Sequence, residues 1–196
     1  MTGALPGLLR LLWATIERPA EVARMILAQR LSRQTLWLAL VLVTVLSVLL
    51  VGLLNLVAPP PEDAVMLAVT PFAYAFILGG SLVIAVFALH FTGRMLGGSG
   101  ELPDTLALLV WLQTLLLALQ LVQLVLILVS PLLGGIAALL SIAAALWVLL
   151  HFINEAQSFG SLGRAALTLV VSLLGMGVGL SVLLGLIGAI AGTGDI

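Results

Sequence analysis

The chain has 196 residues, of which 63% are hydrophobic and 8% charged, and its formal net charge is −1. A soluble domain carries about 25% charged residues, so an ordinary water-soluble domain is excluded, and the near-neutral balance excludes a nucleic-acid surface. There is no cysteine, which removes disulfides, thiol nucleophiles and thiolate metal sites.

The elements follow in chain order. Residues 1–34 read as a cytoplasmic amphipathic leader. Leu5, Leu8, Leu9, Leu12 and Ile16 recur at helical spacing, as do Val22, Met25 and Ile26, with arginines between them. Pro19 is expected to start the second of two helices, since proline is tolerated at a first helical position. Amphipathic helices with arginine flanks and a tryptophan, here Trp13, tend to lie in the headgroup plane. The leader reads as a juxtamembrane anchor, with a lipid-sensing or partner-docking surface as the sharper alternative. It is too long and too charged for a signal peptide, and the apolar run behind it exceeds a signal core.

Residues 35–196 read as a five-span membrane domain. A crossing needs about 20 apolar residues, and runs near 36–57, 65–91, 105–129, 132–153 and 165–192 qualify, each free of charged side chains. Continuous apolar runs rather than short alternating ones exclude a β-barrel, so the fold is all-α and polytopic. Arg10, Arg18, Arg24, Arg30 and Arg33 precede the first span, Arg94 lies in the second loop and Arg164 in the fourth. The first loop carries Glu62 and Asp63 but no basic residue. By the positive-inside rule the N-terminus is cytoplasmic and the C-terminus periplasmic. Lysine-free, alanine- and leucine-rich composition points to a bacterial source, and hence to the inner membrane.

The two histidines of the chain, His90 and His151, both stand in Leu-His-Phe at the end of an apolar run. Aligning them brings Leu102–Leu106 close to register with Leu162–Ala166. Spans two and three then correspond to spans four and five in the same direction, which points to a parallel internal repeat of two hairpins. Arg94 and Glu155 fall at matching positions with opposite charge, as do Asp104 and Arg164. Pairs of Arg94 with Glu155, and of Arg164 with Asp104 or Glu101, are therefore expected. These seven residues, His90, Arg94, Glu101, Asp104, His151, Glu155 and Arg164, are the candidate contacts of the cytoplasmic face.

Chemistry is sparse. A metal at the histidines needs at least one more good ligand, and only Glu155 and Asn154 are near. Bis-histidine haem ligation is chemically open to them, but the ends of spans suit interfacial residues better. Ser81, Ser141 and Ser172 lie in no Gly-x-Ser-x-Gly elbow, and Leu96-Gly97-Gly98-Ser99-Gly100 lacks the lysine of a phosphate loop, so it reads as a flexible turn. No catalytic, cofactor or metal residue is assigned. Gln113, Gln120 and Gln123 share one face of the third span and are expected to join helices. Gly175, Gly179, Ser181, Gly185, Gly188 and Gly192 place small residues four apart on the fifth, as a close-packing face.

The chain resembles the bacterial branch of the Yip family, the Ypt/Rab-interacting membrane proteins, from about Leu8 to Ile190. The resemblance rests on Ile16-Glu17-Arg18-Pro19 before the amphipathic segment, on Arg94 to Gly100 before the third span, and on the polar turn Asn154–Arg164. It implies a five-span protein with no catalytic residues. Eukaryotic relatives are partners of prenylated GTPases in vesicle traffic, a role a bacterium does not offer. The expected function is a non-enzymatic membrane scaffold or accessory subunit that contacts lipid and either another membrane protein or further copies of itself. A small transporter or channel is the alternative, and a haem- or metal-carrying redox subunit the third reading.

Overall fold

The computed structural model describes the backbone of residues 4–57 and 70–192, and the side chains of residues 7–57, 70 and 72–178. Among them every regular element is an α-helix: α1 Ala4–Glu17, α2 Pro19–Ala28, α3 Arg33–Val57, α4 Pro71–Met95, α5 Leu102–Val129, α6 Pro131–Gln157 and α7 Leu162–Gly192. The all-α expectation holds. The helices outrun the expected spans at their polar ends because caps, not loss of apolarity, stop them. The expected start of the second span at 65, and the loop bearing Glu62 and Asp63, lie outside the described residues.

Proline chemistry sets several starts. Arg18 leaves the helical region at φ −137° and ψ 61°, since the residue before a proline is pushed out of it, and Pro19 opens α2 as expected. Ser130 serves as both the end of α5 and the start of α6, extended at φ −161°, with Pro131 in the first helical position. The hairpin this makes is tight. A Cβ on Gly134 would stand 2.5 Å from Ile127 Cγ1, so only glycine lets α6 leave α5 this closely.

The two turns at the opposite end share one device. At the end of α4, Gly98 N donates to Gly93 O (2.8 Å) and Gly97 N to Arg94 O (3.2 Å), with Gly97 at φ +87°. At the end of α6, Phe159 N donates to Asn154 O (3.1 Å) and Ser158 N to Glu155 O (3.2 Å), with Ser158 at φ +54°. Both are Schellman closures. Gly97 and Ser158 each follow their histidine by about two turns. Ser158 carries a Cβ in a conformation that costs an L-residue about 1–2 kcal/mol. Ser158→Gly is therefore expected to gain about 0.5–1 kcal/mol once glycine's greater chain entropy is set against it. A raised thermal midpoint of the detergent-solubilised protein checks this, and a lowered one would show that the serine side chain outweighs its strain.

Antiparallel alternation gathers the start of α3, the end of α4, the start of α5, the end of α6 and the start of α7 at one end. All seven arginines of the chain belong to that end or to the leader, and we call it the arginine end. The core lies there. Leu36 and Leu40 of α3, Val86 and Leu89 of α4, Leu106 to Leu109 of α5 and Val148, Phe152 and Ile153 of α6 are buried together. Away from it, Val125, Leu128, Leu132 and Leu139 are exposed. Apolar surface on that scale is unsuited to water.

Four helices, Arg33–Val57, Phe72–Met95, Leu102–Val129 and Pro131–Gln157, are long and apolar enough to cross a membrane. In α7 the stretch with described side chains, Leu162–Val178, is shorter than that length though equally apolar.

Candidate functional site at the arginine end

The loop from α4 to α5 was expected to be a flexible turn; it is a clamp instead. Gln157, the last residue of α6, is 1% exposed, and its Nε2 donates to Thr105 Oγ1 on α5 at 3.4 Å. Glycines surround it. A Cβ on Gly93 would stand 2.5 Å from Gln157 Cδ, one on Gly98 would strike Gln157 Oε1, and one on Gly100 would strike the carbonyl oxygen of Ala156. Ser99 N donates to Gln157 O at 3.0 Å, so the two turns are bonded to each other through backbone. Just beyond, Glu101 N donates to the Asp104 carboxylate at 2.9 Å, which caps α5 and favours a negative charge at its N-terminus. Asn154 Oδ1 accepts from Ser161 N at 2.8 Å and orders the entry to α7.

The leader docks on this assembly. Val22, Ala23 and Ile26 of α2 are buried against α5 and α6. Thr15 of α1 is fully buried; its hydroxyl donates to Leu11 O at 2.8 Å and accepts from Trp111 Nε1 on α5 at 3.0 Å. Arg24 Nε lies 3.3 Å from Glu155 Oε2. Between α2 and the two turns a polar cleft of about 510 Å³ opens, lined by Arg30, Ser99, Glu101, Asp104, Glu155 and Ser158 among others.

The seven expected face residues do gather near this end, though not in the expected pairs. Glu155 is held by Arg24 rather than Arg94, because α2 covers that side of α6. Arg94 and Arg164 form no ion pair among the described residues, and neither does Asp104 or Glu101. In a double-mutant cycle, Arg24→Ala and Glu155→Gln are expected to couple by about 0.5–1 kcal/mol, given the exposure of Arg24. Arg94→Ala with Glu155→Gln is expected to add independently. Coupling only in the second cycle would overturn the observed pairing.

His151 sits with Nδ1 2.8 Å from Trp147 O, its ring 4.2 Å from the indole. His90 lies edge-on to Phe91, and its Nδ1 is enclosed with no hydrogen-bond partner. No hydrogen bond or ring contact joins the two histidines. Among the described residues there is no group of three or more His, Asp or Glu that could hold a metal.

Gln113, Gln120 and Gln123 are half-buried on α5. Contrary to expectation, none makes an interhelical hydrogen bond among the described residues, and Gln120 Oε1 is enclosed and unpaired. The side-chain hydrogen bonds between helices, among the described residues, come from Trp111, Gln157 and Ser172, whose hydroxyl donates to Ala88 O of α4 at 3.2 Å. Of the small-residue face, Gly175 is exposed, with no described atom within 4 Å of a Cβ placed there. The side-chain level of Gly179, Ser181, Gly185, Gly188 and Gly192 lies outside the described residues. Among the described glycines, close packing occurs at Gly93, Gly98, Gly100 and Gly134. One sequence signal marked the clamp: a glutamine in the last turn of an apolar helix, facing a loop with glycines at 97, 98 and 100.

The sequence matches the family model described as Yip1 domain over residues 13–183, most of the chain. No curated protein and no solved structure matches it.

Proposed function

The chain belongs to the Yip1-domain family, a membrane protein by its apolar helices, and from that premise we propose that it is a non-enzymatic scaffold or accessory subunit of the bacterial cytoplasmic membrane. In this reading α7 is the fifth span, residues 1–34 are the cytoplasmic leader and residues 35–196 the membrane domain. In the same reading the positive-inside rule, applied to the arginines, favours a cytoplasmic N-terminus and a periplasmic C-terminus. No catalytic residue and no cofactor is assigned.

The observation that carries the reading is the clamp. The two turns are fixed to each other at Gln157, the leader docks beside them through Thr15–Trp111 and Arg24–Glu155, and together they present a polar cleft lined by Arg30, Glu101 and Glu155. A rigid, preformed polar surface above the bilayer suits recognition of another protein, because little ordering cost remains to be met on binding. The matched closures at Gly97 and Ser158 support the parallel repeat, whose two turns would together form the cleft.

The test is a pull-down of tagged protein in mild detergent or polymer nanodiscs, with mass spectrometry and an absorption spectrum on the same eluate. A stoichiometric partner that is retained by the wild type and lost in Glu101→Arg supports the scaffold. A Soret band abolished by His90→Ala and His151→Ala would replace it with the redox reading. A second reading, a small-solute transporter, is favoured by the unpaired Gln120 Oε1 within a span, since polar atoms there commonly line a path. Solute flux in proteoliposomes that is lost in Gln120→Leu would move transport to the front.

A further inference from the structure

The leader has two apolar faces, and docking uses only one. Leu12 and Thr15 of α1 and Val22 and Ile26 of α2 turn inward and are buried. Leu9 and Trp13 turn outward at 65% exposure each, and Met25 at 52%. With Arg10, Glu17, Arg18 and Glu21 they line an open notch of about 760 Å³ between α1 and α2.

We infer that this notch is a lipid-binding face, held at the headgroup level of the arginine-side leaflet and occupied by phospholipid. The level follows from the tryptophans. At 1.5 Å per residue, Trp111 stands about 27 Å from the far end of α5 at Val129, Trp37 about 30 Å from Val57, and Trp147 about 24 Å from Pro131. These distances match a hydrocarbon core of about 30 Å. Trp37 packs on Phe87 of the neighbouring helix with ring centroids 6.4 Å apart, which ties α3 and α4 to the same level. The fourth tryptophan, Trp13, is brought there by Thr15, whose hydroxyl holds Trp111. All four tryptophans of the chain thus form one belt on the arginine side, where amphipathic rings favour the interface.

The notch therefore opens where acyl chains meet headgroups, and not into water. It is continuous in level with lipid-facing Leu146 and Trp147 of α6, a helix that α1 touches. Its charged lining is balanced, Arg10 and Arg18 against Glu17 and Glu21, with Arg18 3.7 Å from Glu21 and Glu17 accepting from Trp13 Nε1 at 2.7 Å, which suits a zwitterionic headgroup carrying both a phosphate and a cation. By the same measure the starts of α5 and ends of α6 rise about 13–15 Å beyond the belt, which puts the polar cleft in water. The leader is then a collar around a projecting turret.

The inference rests on the reading of the chain as spanning a bilayer, and it is independent of any protein partner. The cysteine-free sequence allows single spin labels at Leu9→Cys, Ser99→Cys and Val125→Cys in nanodiscs of mixed zwitterionic and anionic phospholipid. Power saturation with oxygen and with a water-soluble nickel chelate then reads depth. The expected result is several-fold preference for oxygen at positions 9 and 125, and for the chelate at 99. A label at 9 as chelate-accessible as that at 99, with 125 still in lipid, overturns the lipid notch alone. A label at 125 exposed to the chelate overturns the spanning reading itself. Loss of partner capture leaves both depth results standing.

Discussion

Gly100→Ala is expected to destabilise the protein by about 3 kcal/mol, at the upper end of what overpacking costs. The added methyl group meets the backbone oxygen of Ala156, and a carbonyl at a helix end cannot rotate away as a side chain can. Relief requires the α4–α5 turn to lift off α6, which breaks the bond from Ser99 N to Gln157 O and exposes Gln157. Gly135→Ala is the matched control. Gly135 is also next to a tight turn, but a Cβ there meets nothing within 4 Å, and alanine in a helix is better than glycine by about 0.5–1 kcal/mol. The fraction surviving a heat step as a monodisperse size-exclusion peak should fall sharply for the first and hold or rise for the second. Equal survival would mean that the clamp does not limit stability.

Phe152→Ala is expected to cost about 3–5 kcal/mol. Phe152 is 2% exposed and the largest of the fully buried side chains among the described residues. An apolar void of about 10 Å³ lies beside it, bordered by Leu89, Leu109 and Leu149 among others. Truncation would enlarge that void where neighbours from α4, α5 and α6 are already committed to contacts, so collapse cannot repair it. Phe76→Ala makes the contrast. Phe76 is 69% exposed on α4, where lipid replaces the ring at small cost. Thermal midpoints in one detergent compare the two, and a larger loss at Phe76 would place the core at the wrong end of the molecule.

Much of the frame was legible because it depends on local chemistry. Pro19 marked a helix start, continuous apolar runs marked four long helices, and the arginines fell at one end. The leader's periodicity was legible as amphipathic, but its apolar arc is broad, and spacing alone could not say that Leu12 would be buried while Leu9 would not. The ion pairs were not legible. Matching Arg94 to Glu155 by repeat position assumed that the repeat's own loops face one another, whereas the intruding α2 brought Arg24 to the carboxylate. The glycine loop was misread for a similar reason. Glycine signals either freedom or close approach, and only the partner surface, here the end of α6, decides between them. The glutamines of α5 were expected to tie helices together; their face was predictable, but whether a neighbour offers an acceptor or donor there was not.

Thr15 and Trp111 are 96 residues apart in the chain, which gives the leader a history as well as a place. It leaves the ribosome before α5 and α6, yet the surfaces that bury its inner face belong to those two helices. At about 5–20 residues per second, the interval before Trp111 is made is roughly 5–20 s. Through that interval α1 and α2 have apolar residues on two sides and no protein to cover either. The bilayer surface is the one apolar phase within reach, and the outward residues Leu9, Trp13 and Met25 can stay there from start to finish. The inner face can then close only onto a finished α5–α6 hairpin, so a truncated chain ending before α5 would leave its leader on the membrane and its threonine without a tryptophan.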